Sequence, residues 1–114
     1  MKIYGIKSCD TMKKAFTWLN NNNIEFLFFD YKKEILLEEN FIYWLTYLPL
    51  EQIVNKQGTT FKKLTDSQKV AILNPATAFE IIKENTSVIK RPLIEIKNKV
   101  YVGFNETTWT EIFK

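Results

Sequence analysis

Apolar and polar positions follow two different periods along this chain, and the switches between them mark out its elements. Ile3 to Ile6, with Tyr4 and Gly5 between them, is a compact apolar run suited to a short strand covered on both faces. Met12, Ala15, Phe16 and Leu19 then fall at i, i+3, i+4 and i+7, which predicts a helix with one buried stripe. Asn20 to Asn23 is a polar stop, since asparagine tolerates the left-handed geometry found at helix ends. Glu25 to Tyr31 is an aromatic run of strand length. Strand, helix and strand within about 30 residues predict two parallel strands joined by a right-handed crossover.

The middle of the chain reads as helical. Leu37, Phe41, Trp44, Leu45 and Leu48 are spaced for a helix that Pro49 closes, and a short helical segment follows over Leu50 to Val54. Gln57 to Thr60 is a turn with Gly58 as its expected left-handed residue. Thr65-Asp-Ser-Gln68 fits a capping box and opens a helix through Leu73. Asn74-Pro75 then ends that helix and starts another, with Pro75 expected at the first helical position and Phe79 and Ile82 buried. From Arg91 the strand pattern returns: Leu93 to Ile96 and Val100 to Val102 flank Asn98-Lys99 as a hairpin. Asn105 caps a last helix that buries Trp109, Ile112 and Phe113. The order is β-α-β, a helical segment of about 36–86, then β-β-α, within one domain of residues 1–114.

Composition narrows the function. With 114 residues, 46% hydrophobic and 15% aromatic, the chain can build a sizeable core and is not disordered. A net charge of +3, spread evenly, gives no stripe for direct nucleic-acid contact. No run approaches the ~18 apolar residues of a membrane span. The first residues lack a signal-peptide pattern and there is a single cysteine, so the expected location is the reducing cytoplasm. Histidine is absent, which excludes a His-ligated metal site and any Cys-His or Ser-His pair. Of the 16 basic residues, all but Arg91 are lysines.

The chemistry that remains centres on Cys9. It lies where the first strand turns into the first helix, at the positive end of the helix dipole, which favours a thiolate over a thiol. Ser8 or Asp10 can supply an oxygen to the free N–H groups there, while the charge of Asp10 opposes ionisation of Cys9. Lys7, Lys13 and Lys14 form a basic rim, either solvated or available to attract a carboxylate. Asn55 and Thr59-Thr60 are polar groups that either line a cleft or form their turn. Arg91 is either a surface cation or a bidentate anion contact. Met12 fits the apolar stripe.

Four blocks carry a family resemblance: Tyr4-Gly-Ile-Lys-Ser-Cys-Asp-Thr-Met-Lys-Lys-Ala15, Asn55-Lys-Gln-Gly-Thr-Thr60, Lys90-Arg-Pro-Leu93 and Val102-Gly-Phe104. In this order the chain resembles the arsenate reductase (ArsC) family, which includes the Spx regulators, and its first block is most similar to the YffB-type branch. The resemblance implies a thioredoxin-like α/β fold, βαβ plus ββα, with a helical insertion between the halves. It implies that Cys9 is the reactive thiol, that a cis Pro92 shapes the site with Ser8 and Asp10, and that Arg91, with Lys7 and Asn55, binds an anion. It implies no metal or organic cofactor, glutathione or a similar external thiol as co-substrate, and glutaredoxin as a further partner.

Two departures refine the expectation. Where glutathione-coupled arsenate reductases carry further arginines, this chain has Asn55 and Gly103, which argues against arsenate as the substrate. Where Spx proteins carry Cys-x-x-Cys, the second position is Met12, so no such switch can form. The reading is a thiol-dependent reductase acting through one cysteine. The alternative is an Spx-like regulator that binds RNA polymerase without catalysis, although Pro49-Leu50 stands where Spx has a docking-loop glycine.

Overall fold

Strand β1 (Lys2–Gly5) and strand β2 (Leu27–Asp30) run parallel in the computed structural model, which describes residues 1–114, and helix α1 (Asp10–Asn21) joins them. Strands β3 (Leu93–Ile96) and β4 (Lys99–Val102) form an antiparallel hairpin, and β3 pairs antiparallel with β1. The four-stranded order is therefore β2-β1-β3-β4, with α7 (Glu106–Ile112) following the last strand. This is the expected thioredoxin-like arrangement, βαβ and ββα sharing one sheet.

The register sorts the side chains. Ile3 lies opposite Phe28 and Ile94, and this face packs on α1 and α7 through Met12, Ala15, Leu19 and Trp109, all essentially inaccessible. Each fully buried aliphatic side chain there contributes roughly 1.5–3 kcal/mol of transfer free energy. The opposite face carries Tyr4, Phe29, Leu93 and Val100, also buried. Phe16, expected in the buried stripe of α1, is only half-buried and packs on Phe26 and Phe28. Trp18, outside that stripe, stands among Phe104, Trp109 and Phe113.

Contacts divide the chain into two compact units, Met1–Lys32 with Arg91–Lys114, and Lys33–Lys90. The second unit contains α2 (Glu38–Tyr47), α3 (Leu50–Ile53), α4 (Thr59–Lys62), α5 (Asp66–Ile72), α6 (Ala78–Ile82) and a 3-10 turn at Thr86–Val88. Phe41, Trp44, Ile53, Ile72, Phe79 and Ile82 are buried, and the Phe41 and Phe79 rings lie 5.9 Å apart. The Thr65 hydroxyl accepts from the Gln68 N–H, and the Gln68 side chain accepts from the Thr65 N–H, completing the capping box.

Three local expectations are corrected. Gly58 has φ −81°, outside the left-handed region, and serves instead as the residue before α4. Pro75 is not the first helical residue: α6 begins at Ala78, because the Asn74 side chain and carbonyl accept from Ala76, Thr77 and Ala78 and form a turn across 74–78. The hairpin turn is Lys97-Asn98, one residue earlier than expected, with φ 53° and 59°. Two consecutive positive φ values match the primed turn whose twist suits the flanking strands.

Candidate functional site

The cysteine occupies a boundary position. Cys9 is the N-cap of α1, with extended backbone (φ −76°, ψ 132°), and its carbonyl accepts from the Lys13 N–H. No oxygen caps this helix: Ser8 and Asp10 are exposed, and neither side chain takes the capping role expected of one of them. The sulfur has replaced them. Although it makes no hydrogen bond of full capping geometry, it faces the N–H groups of Met12 and Thr11.

Burial pushes the Cys9 thiol up, but this is more than reversed. The Met12 N–H, the Arg91 side chain and the Thr11 N–H each donate toward the sulfur, and the Arg91 charge adds to them. The thiol is therefore held below its ordinary value of 9.0. Cys9 stays partly exposed, so the sulfur is reachable.

Pairing of β3 with β1 is what brings Arg91 here. Tyr4 lies opposite Leu93, so Arg91 and Pro92, the two residues before β3, arrive beside the loop that leaves β1 for Cys9. The Arg91–Pro92 peptide bond is cis, and the Pro92 carbonyl accepts from the Gly103 N–H at 2.8 Å. Cys9, Arg91 and Pro92 are thus gathered by the sheet. Lys7 and Ser8 lie in the exposed turn just before Cys9, while Lys13 and Lys14 stand exposed on α1.

Asn55 belongs to the unit Lys33–Lys90. Its side-chain oxygen accepts from the Gln57 N–H, and its backbone N–H donates to the Val88 carbonyl. That side chain is engaged in shaping the 55–58 turn. A Cβ on Gly58 would come to 3.0 Å from the Asn55 amide nitrogen, so that side chain would have to give way by a few tenths of an ångström.

Tyr31, expected as the last residue of the second strand, lies just beyond it. The strand ends at Asp30, and the Tyr31 N–H donates to the Gly5 carbonyl, carrying the ladder one step further toward the Cys9 loop. The Tyr31 ring stacks on Tyr4 with centroids 6.3 Å apart and meets Phe29 edge-on at 5.9 Å. The Phe29–Tyr31 alternation, matched to Tyr4 on the next strand, was a signal for this placement. No three His, Cys, Asp or Glu side chains gather in a way that could hold a metal ion.

A thioredoxin-like sheet with one acidified cysteine at a helix N-cap, beside an arginine and a cis-proline, defines the class of protein. The chain belongs to the ArsC family, whose model matches residues 4–112. It is 40% identical over 112 residues to an uncharacterized protein of Haemophilus influenzae, covering 97% of this chain and 96% of the other. It is 30% identical over 101 residues to the global transcriptional regulator Spx of Streptococcus agalactiae, covering 87% of this chain and 72% of that one. Among solved structures it is similar to a YFFB protein, with a TM-score of 0.90 and 39% identity over 96% of each chain.

Proposed function

We propose that this protein is a thiol-dependent reductase that works through Cys9. The observation that carries the reading is the sulfur at the α1 N-cap, acidified by two backbone N–H groups and by Arg91 while remaining partly exposed. The Cys9 thiolate attacks one sulfur of a mixed disulfide between glutathione and a second thiol. A Cys9–glutathione disulfide forms and the second thiol leaves as its thiolate. A glutathione thiolate then attacks the Cys9-linked glutathione, releasing oxidised glutathione and restoring the Cys9 thiolate. The chain has no second cysteine, so the resolving thiol comes from outside, either glutathione or a glutaredoxin.

Arg91 suits a carboxylate of the thiol substrate, which one guanidinium can grip through two hydrogen bonds. Arsenate is disfavoured because Arg91 is the sole arginine. The test is mass spectrometry after exposure to oxidised glutathione. A single adduct at Cys9, absent from Cys9→Ser, is expected. Failure of any adduct to form would sink the reading.

A second reading is favoured by the sequence likeness to Spx: a regulator that docks on RNA polymerase. Co-purification with polymerase that survives Cys9→Ser would support it over catalysis. Its switch could not be the Cys-x-x-Cys disulfide, because Met12 holds the second position.

A further inference from the structure

Strand β2 ends the sheet, and its outer edge is open. The Leu27 and Tyr31 N–H groups donate inward, to the Met1 and Gly5 carbonyls. Alternation along the strand sends the N–H and C=O of Phe26 and Phe28 outward, where no further strand follows. Natural edges are blunted by lysine, proline or a bulge. The other edge strand, β4, begins at Lys99, just after Lys97 in its turn. Residues 25–31 hold no lysine and no proline, and β2 pairs with β1 without a bulge.

Apolar surface lies on both faces of this edge. Leu27 is 72% exposed on the face of Phe29. On the other face the half-buried rings of Phe16, Phe26 and Phe28 pack together, with centroids 5.0 and 5.4 Å apart. Unpaired backbone groups beside exposed apolar side chains are the features of a strand-addition surface.

Charge selects the strand that fits. Glu25 and Lys32 stand exposed at the two ends of the edge, and no ion pair within the chain engages either. An antiparallel second copy with Phe28 on the two-fold axis brings Glu25 of each chain beside Lys32 of the other, at both ends. A parallel copy in the same register would set Glu25 beside Glu25 and Lys32 beside Lys32. An antiparallel copy with its axis at Leu27 would bring Glu25 beside Asp30. With the axis at Phe28, the two Phe28 residues exchange N–H···O bonds and each exposed Leu27 lies across from Phe29 of the other chain.

We propose that this protein forms a dimer of two identical chains through β2, antiparallel about Phe28, which joins the two four-stranded sheets into one. The two β1 strands are then three strand spacings apart, roughly 14 Å. Their Cys9 loops lie toward opposite ends of the joined sheet, beyond the reach of a disulfide. Dimer formation therefore supplies no resolving thiol and is independent of the chemistry at Cys9.

The test is sedimentation velocity over a concentration series, under reducing conditions. Wild type should show a monomer–dimer equilibrium. Leu27→Lys sets two lysines diagonally across the pair and should weaken association about tenfold or more. Glu25→Lys and Lys32→Glu should each weaken it, and the double variant carrying both should regain most of the loss. Ile42→Lys, at an exposed apolar position on α2, should leave it unchanged. A wild type that stays monomeric at every concentration would overturn the proposal. So would a dimer indifferent to Leu27→Lys, a dimer lost in Ile42→Lys, or a double variant no better than its single parents. Should Leu27→Lys fail to fold, the charge series decides alone.

Discussion

Gly5 and Met12 are packed so closely that a Cβ on Gly5 would overlap the Met12 sulfur. Gly5 is the last residue of β1 and Met12 lies in the first turn of α1, so this contact sets how near the Cys9 helix comes to the sheet. It also gives Met12 its physical role. The side chain is entirely buried in the core cluster.

Gly5→Ala should therefore destabilise the protein by roughly 1–3 kcal/mol through overpacking. Met12→Ala alone should cost about 2–5 kcal/mol, the range for emptying a buried site. The double variant should be more stable than the sum of the two losses, because each change relieves the other. Urea unfolding of the four proteins measures the coupling, and strict additivity would mean that the two residues do not press on each other.

The acidified thiol has a definite sign in pH. An acid whose folded pKa lies below its unfolded value binds its proton less tightly in the native state. Its stabilisation is fully present above the unfolded value, near 9.0, and is lost as pH falls through the folded value. Under reducing conditions, the stability advantage of wild type over Cys9→Ser should widen as pH rises through that window. Iodoacetamide rates should show a midpoint below 9.0, and Arg91→Ala should move it upward by removing both a donor and a charge.

Two glycines should respond to alanine for different reasons. Gly103 has φ +86° with nothing within 4 Å of a Cβ, so Gly103→Ala pays only backbone strain, about 1–2 kcal/mol. Gly58 has an ordinary φ, and its alanine variant meets the Asn55 amide instead. Adding Asn55→Ala should lessen the cost at 58 and leave the cost at 103 unchanged. Denaturation midpoints of the single and double variants distinguish strain from crowding.

Helix caps offer a simpler check on the sequence logic. The Asn105 side chain accepts from the Thr108 N–H at 3.0 Å, and Thr65 accepts from Gln68. Asn105→Ala and Thr65→Ala should each cost ~1 kcal/mol. Thermal melts that show no loss would remove these residues from the capping role.

Legibility followed the range of the interaction. The Asn105 cap, the Thr65–Gln68 box, the left-handed Asn23 (φ 57°) and the α1 stripe were readable because each involves residues within one or two turns. The misplaced features were also local, but decided by competition. Asn74 drew three N–H groups into a turn and delayed α6 beyond Pro75, and the two-residue hairpin chose the register that puts Lys97 and Asn98 at positive φ. Cys9 as a candidate thiol was legible from its place between a strand and a helix. The absence of any oxygen capping that helix was not, since Ser8 and Asp10 both have the chemistry to cap and only the loop geometry rules them out.

Sequence alone determined that the sulfur of Cys9 has no second cysteine and no histidine to pair with inside the chain. It also determined the order of the strands and of the longer helices, since apolar periodicity is written into neighbouring positions, but not α4, where Thr59 and Thr60 had read as part of a turn, nor the 3-10 turn at Thr86–Val88. Tertiary structure decided what surrounds that sulfur. Arg91 is 82 residues from Cys9 and becomes its neighbour only because β3 pairs with β1. Strand order is set by how distant apolar faces close on one another, a property of the whole chain that no local pattern carries.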